Sequence, residues 1–405
     1  MIAAATTPPK LSTLVLLTAL SVLSLNMFLP SLSNMAEDLD TDYALVSLSI
    51  AGYLAITSFL QLIMGPLSDW FGRRPVLLAG LVIFSLASLV CAFATNIWVF
   101  LAFRLLQGAV ISGAALSRAV IRDIAPEREA ASMIGYVNMV MAIAPMLGPM
   151  LGGTLEELFG WRASFVTFAT LGIAVFGLCW VDLGETNKSP SQTLMKQFQT
   201  YPELLRSRRF WGYALCMTFS TGAFYSFLTG APLVANELFA MSPAMSGFYV
   251  GTITAGFIFG SFLSGRYAQR YSPCTMMIAG RLVACTGLVL GIGMFLAGFV
   301  HAVSLFGATV FVGIGNGLTM PSSAAGALSV RPDLAGSASG LSGGLTVLGG
   351  AILTSITGAV VTKHGGAYAL LGMMLFCSAA SLISALYVLK LDLNEAREPE
   401  ALQQP

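Results

Sequence analysis

Charge is what this sequence lacks most. Only 10% of its 405 residues are Asp, Glu, Lys or Arg, where a soluble domain carries about 25%. A chain so poor in charge cannot be one water-soluble fold around a single core. The 20 basic and 19 acidic residues leave a net charge of +1. No basic tract is present either, so nothing suits nucleic acid. The two histidines, His301 and His364, stand far apart. No Cys/His spacing of a zinc site occurs, and no metal or cofactor is expected. The absence of a Walker A glycine loop counts against an ATP motor within the chain. No nucleophile–base arrangement is visible, so the chain does not read as an enzyme. The six cysteines, Cys91, Cys179, Cys216, Cys274, Cys285 and Cys377, form no C-x-x-C pair and read as free thiols in apolar segments.

What is there is apolar and small. Hydrophobic residues make up 56% of the chain, and there are 42 glycines, as where membrane helices pack closely through small side chains. A membrane-crossing helix needs about 20 mostly apolar residues. Runs of that kind predict spans near 11–33, 43–66, 75–95, 97–119, 131–154 and 161–182. A second set falls near 209–234, 244–267, 274–298, 303–327, 335–361 and 366–390. The expected fold is an all-α membrane protein of twelve transmembrane helices in two pseudo-symmetric six-helix bundles. The first run is too long for a signal core and has no small-residue cleavage site, so it reads as a retained span.

The most polar stretch, 183–208, divides the chain into an N-terminal bundle, 1–182, and a C-terminal bundle with a short polar tail, 209–405. With both termini and this linker in the cytoplasm, Arg162 and Lys363 face outward and Arg104 and Arg281 lie within spans. The other 16 of the 20 Lys and Arg then fall at the inner face, as the positive-inside rule requires. The halves echo each other: Gly65–Arg74 and Ser261–Arg270 follow corresponding spans at a constant offset, which Tyr53 and Tyr249 share.

Three segments carry mechanism. Gly65-Pro-Leu-Ser-Asp69-Trp-Phe-Gly-Arg73-Arg74-Pro75 reads as a tight turn at the inner face. Its glycines permit unusual dihedrals, and Asp69 stands beside Arg73 and Arg74, able to make a breakable contact with basic groups or a helix N-terminus. Arg104-Leu-Leu-Gln107-Gly108 places an arginine inside a span, which is expensive and by default functional. Ala144-Pro-Met-Leu-Gly148-Pro149-Met-Leu-Gly152-Gly153 combines glycines four apart, a smooth packing face, with prolines that bend a helix.

The first segment resembles the signature of the major facilitator superfamily, G-x-L-x-D-R-x-G-R-[RK], with Trp70 in place of an arginine. The second resembles that superfamily's R-x-x-Q-G. The third resembles G-x-x-x-G-P-x-x-G-G, the mark of its antiporters, with Ala144 for the first glycine. Asn26-Met-Phe-Leu-Pro30 with Ala36–Leu39, and Arg118-Ala-Val-Ile-Arg122-Asp123, are similar to the Bcr/CflA subgroup of drug:proton antiporters. The resemblance implies the major facilitator fold, a multi-pass protein of the bacterial inner membrane, monomeric, that exchanges small-molecule cargo for protons across the bilayer. It also implies a conformational latch from Asp69, Arg73, Arg74, Arg118, Arg122 and Asp123. The subgroup commonly has aspartate where this chain has Asn26, so the usual proton-coupling acid is missing.

Cargo sites of such carriers lie near the midplane. Candidate polar groups are Asn26, Tyr53, Arg104, Gln107, Tyr225, Tyr249 and Asn316, with Phe224, Phe227, Phe248, Met139 and Met141 as apolar lining. Equal depths in their spans let Asn26 accept a hydrogen bond from Arg104. Two routes to coupling stay open: a peripheral acid carries the proton, or Arg104 binds an acidic or zwitterionic cargo. Three functions remain in play: multidrug export, transport of one metabolite such as an amino acid or sugar, and a non-transporting receptor.

Overall fold

The computed structural model describes residues 9–125, 127–187, 202–267, 270–331, 335–361 and 365–401. The central part of the expected linker, 188–201, lies outside the described residues. Among the described residues there is helix and no strand. The helices are α1 (Leu11–Asn26), α2 (Leu32–Asp38), α3 (Tyr43–Phe71), α4 (Arg73–Phe93), α5 (Ile97–Leu106), α6 (Ile111–Ile124), α7 (Glu127–Phe159) and α8 (Arg162–Asp182). They continue as α9 (Arg208–Phe239), α10 (Pro243–Tyr267), α11 (Pro273–Leu296), α12 (Ala302–Ser329), α13 (Ala335–Val360) and α14 (Gly366–Ala401). Short 3-10 turns at Leu29–Ser31 and Gln107–Val110 break two spans into the pairs α1/α2 and α5/α6. The elements thus make the twelve expected traverses.

Among the described residues, 10 traverses are long and apolar enough to cross a membrane. Of the other two, α9 carries more Ser, Thr and Tyr, and many side chains of α7 lie outside the described residues. Large side chains point outward, with Phe93 73%, Phe159 74% and Leu296 74% exposed. Helices apolar on their outer faces suit lipid. Inside, many buried hydroxyls return their hydrogen to a carbonyl one turn back, as Thr18 does to Leu14 (3.0 Å) and Thr346 to Ser342 (2.7 Å). That satisfies them where no water can.

Local chemistry sets the helix ends. Asn96 caps α5 by accepting from the Trp98 amide at 2.8 Å. Ser272 caps α11, with Pro273 at its first position. Gly72, at φ +96°, ends α3 and starts α4; only glycine adopts that dihedral without strain.

Contacts group the chain into two compact units. The first comprises Met1–Leu194, Leu228–Thr252 and Thr354–Gly366; the second holds Met195–Phe227, Ile253–Leu353 and Ala367–Pro405. In the first, α4 lies along α8, and α1 packs on α6 and α7. A chain of rings, Phe28, Phe165, Phe100, Trp161 and Phe168, fills the space between, mostly edge to face. In the second unit α11 lies along α12. There Phe210, Tyr213, Cys216, Met277, Leu341 and Val388 form part of the core.

Candidate functional site

Arg104 is the centre of the first unit. It sits in the last turn of α5, just before the 3-10 break, and is wholly buried. Its guanidinium lies between two rings, 4.4 Å from the centroid of Phe28 and 4.4 Å from that of Tyr53. Such contacts are worth about 2 kcal/mol or more when dry. Nη1 donates to Gln107 Oε1 at 2.7 Å and Nη2 to the carbonyl of Ser24 at 2.7 Å. Gln107 passes the chain on, its Nε2 donating to Ser88 Oγ at 2.6 Å. Tyr53 Oη and Ser24 Oγ are 2.6 Å apart. Gln107 is wholly buried and Tyr53 is 2% exposed. No carboxylate bonds to Arg104 among the described residues.

The expected bond between Asn26 and Arg104 is absent. Asn26 Nδ2 turns back to the Val22 carbonyl at 2.8 Å, and Oδ1 has no partner. The side chain faces α7, where a Cβ at Gly148 would come within 3.0 Å of its own Cβ. Equal depth along two helices fixes height but not azimuth, and the azimuth separates this pair.

Gly148, Gly152 and Gly153 of α7 form a seam. A Cβ at Gly152 would overlap the Met27 carbonyl, and one at Gly153 the Pro243 carbonyl. On the facing helix, Gly247 approaches the Pro149 carbonyl, and a Cβ at Gly251 would stand 2.9 Å from that of Met146. The glycine–proline segment therefore packs backbone to backbone on α1 and on the start of α10. Glu156 lies one turn beyond this seam, and α7 runs past the expected span end to include it. It is 6% exposed; Oε1 accepts from Asn34 at 2.6 Å and Oε2 has no partner. The expected span ends at 154, and the sequence reading did not single this acid out.

At the turn between α3 and α4, Arg73 Nε donates to Asp123 Oδ2 at 3.2 Å, and Thr186 donates to the same oxygen at 3.2 Å. Arg73 also donates to Ser68. Arg74 instead reaches the Trp180 carbonyl at 3.0 Å and stacks on that ring at 5.1 Å. Glu185, just past α8, was not anticipated. Its carboxylate accepts from the amides of Arg73 (2.9 Å), Arg74 (3.1 Å) and Asn187 (2.9 Å). It is an anion on the open N-terminus of α4. A glutamate shortly after an apolar span was visible in the sequence, but its partner amides were not. Arg118 donates to Met141 Sδ at 3.5 Å. The side chains of Asp69, Arg122 and Met139 lie outside the described residues.

In the second unit Arg281 of α11 is wholly buried. It donates from Nε to Thr319 Oγ1 at 2.9 Å and from Nη2 to Asn316 Oδ1 at 2.9 Å. The sequence marked it as an arginine within a span but gave it no role. Tyr225 is half-buried and lies over Gly350; Phe224 is half-buried beside it. Phe227 is a core residue against Phe306. In the first unit Tyr249 is half-buried next to exposed Phe248.

The family model described as Major Facilitator Superfamily matches residues 14–354. The chain belongs to the Major Facilitator Superfamily. Among its superfamily relatives, the MFS-type transporter YdgK of Bacillus subtilis is 32% identical over 85% of this chain and 87% of that protein. Multidrug resistance protein MdtL of Escherichia coli is 31% identical over 90% of this chain and 91% of its own. These matches extend well beyond the N-terminal motifs on which the Bcr/CflA resemblance rests. A solved structure, a bacterial homolog of the human lysosomal transporter Spinster, superposes with a TM-score of 0.77 over 95% of this chain and 97% of that one. At 16% identity it shares the superfamily fold and nothing narrower.

Proposed function

We propose that this superfamily member is a secondary exporter that moves small apolar or amphipathic compounds out of the cell in exchange for protons. The observation that carries the reading is the match to MdtL, named for multidrug resistance, across nine tenths of the chain. The glycine–proline seam of α7, which resembles the antiporter segment, supports the outward direction. Both termini and the linker lie in the cytoplasm of a bacterial inner membrane, on the charge distribution. The protein works as a monomer, and the Asp123–Arg73 contact forms part of a latch at the inner face. With no acid at position 26, the coupling proton is carried by an acid outside the Arg104 node. Carriage of one acidic metabolite held by Arg104 has little support, because that guanidinium is wholly buried between two rings and bonded to Ser24 and Gln107.

Flux of a compound panel in proteoliposomes with an imposed pH gradient tests the function. Transport driven by the gradient is expected, and no flux of any compound would end the exporter reading. For orientation, Ser191→Cys and Asn236→Cys are placed in a cysteine-free background. Only the second is expected to react with an impermeant reagent from outside; labelling at position 191 in intact cells would reverse the topology.

A further inference from the structure

Asn316 lies in the run Gly313-Ile-Gly315-Asn316-Gly317 of α12. A Cβ on Gly280 of α11 would stand 2.6 Å from the Gly315 carbonyl oxygen, and Gly315 approaches the Gly280 carbonyl in return. The two helices touch backbone to backbone there. Their next residues, Arg281 and Asn316, are thereby brought within hydrogen-bond reach.

Asn316 Oδ1 accepts twice, from Arg281 Nη2 at 2.9 Å and from Ser220 Oγ of α9 at 2.9 Å. A guanidinium can only donate. The amide atom facing it is therefore oxygen on chemical grounds. The grip on the oxygen turns the NH₂ group the other way. Nδ2 has no hydrogen bond among the described residues, yet it is not sealed in, and Asn316 keeps 5% of its surface open. Arg281 itself is fully enclosed, so it cannot touch cargo. One turn along the same helix pair, Thr221 donates to Met320 Sδ at 3.5 Å, and half-buried Tyr225 follows on α9. Two unspent N–H donors thus stand at the open edge of this cluster.

We propose that Arg281 is a positioning residue that locks the Asn316 amide with its donors toward the cargo. The site then selects compounds that present a hydrogen-bond acceptor, such as a ketone, ether or sulfonyl oxygen. The proposal rests on the exporter reading. The cationic charge of Arg281 is used to fix an orientation and not to bind an anion.

The test uses the full chain in proteoliposomes and two probes of matched size, an amphipathic ketone and its methylene analogue. The native chain is expected to show the lower KM for the ketone. Asn316→Asp keeps the grip of Arg281 but presents oxygen in place of N–H. It should raise KM for the ketone about tenfold, the worth of one good hydrogen bond, with kcat kept and the analogue unaffected. Ser220→Ala and Arg281→Leu should move KM the same way by less, and Arg281→Lys should recover part of the preference. If Asn316→Asp leaves the ketone-to-methylene ratio at its native value, the proposal is wrong. Equal loss of kcat for both probes in Arg281→Leu, with both KM values unchanged, would make Arg281 a packing residue only. Should that variant not fold, Ser220→Ala and Asn316→Asp, which retain the arginine, decide the question. A native chain that moves other compounds of the panel but neither probe overturns the proposal alone; one that moves no compound overturns the exporter reading with it.

Discussion

Arg104 donates to the carbonyl oxygen of Ser24 and not to the side chain of Asn26, two residues further along the same helix. The arginine therefore clamps α5 to α1 through a backbone atom. Side-chain variation at position 26 leaves that clamp in place.

Arg104→Ala should consequently be a stability variant first. It strands the Ser24 carbonyl and Gln107 Oε1 in a dry interior and removes two cation–π contacts. A loss of about 3 kcal/mol is expected. Arg104→Lys, with its charge kept but its fork gone, should fall between. Thermal unfolding of purified protein in detergent checks this. An unchanged melting temperature with lost flux would mean that Arg104 acts on cargo.

The Arg73–Asp123 contact should behave in the opposite way. Its side chains are 11% and 25% exposed, and ion pairs so near water contribute about 1 kcal/mol or less. Asp123→Asn should leave the melting temperature nearly unchanged while cutting flux at saturating cargo several-fold. Native flux in this variant would retire the latch.

Glu185 and Gly72 are coupled by geometry. A Cβ at Gly72 would collide with the Glu185 carboxylate, and its φ of +96° is strained for any other residue. Glu185→Ala alone should cost about 1 kcal/mol, as loss of a helix cap does. Gly72→Ala should cost more in the native background than beside Glu185→Ala, since the collision is then gone. Strictly additive unfolding energies in the double-variant cycle would show that the two do not interact.

The α7 seam makes a sharp contrast. Gly152→Ala places a methyl on the Met27 carbonyl and must push α1 from α7. Gly177→Ala, on an open face of α8 with nothing within 4 Å, should gain about 0.5–1 kcal/mol from helix propensity alone. Comparable melting temperatures for the two variants would contradict the packing described.

The traverses were legible because their cause is local: apolar runs of sufficient length, bounded by Gly72, Asn96 or Ser272. The breaks were not. The 3-10 turn at Gln107–Val110 holds Gly108 against Ile56 of α3, where a Cβ would stand 2.7 Å away, a contact far off in sequence. The buried arginines announced themselves by their cost in a membrane. Their partners did not, because Ser24 contributes a carbonyl that every residue possesses, and Asn316 lies 35 positions beyond Arg281. Glu156 was missed through a boundary drawn five residues short of the helix end at Phe159. Asn26 was paired with Arg104, yet its side chain turns to the Val22 carbonyl and lies against Gly148.

The glycine seam also limits the mutational supply on which selection can draw. Every single-base change in a glycine codon that yields another amino acid adds at least a Cβ, and at Gly152 that first atom already overlaps the Met27 carbonyl. No graded series of variants exists there, only the native residue or a wedge. Populations challenged with a new toxic compound must therefore find their adaptive changes elsewhere. The half-buried faces of α9 and α12, at Thr221, Tyr225 and Met320, tolerate gradual change in size and polarity, and it is on those faces that altered cargo range should arise.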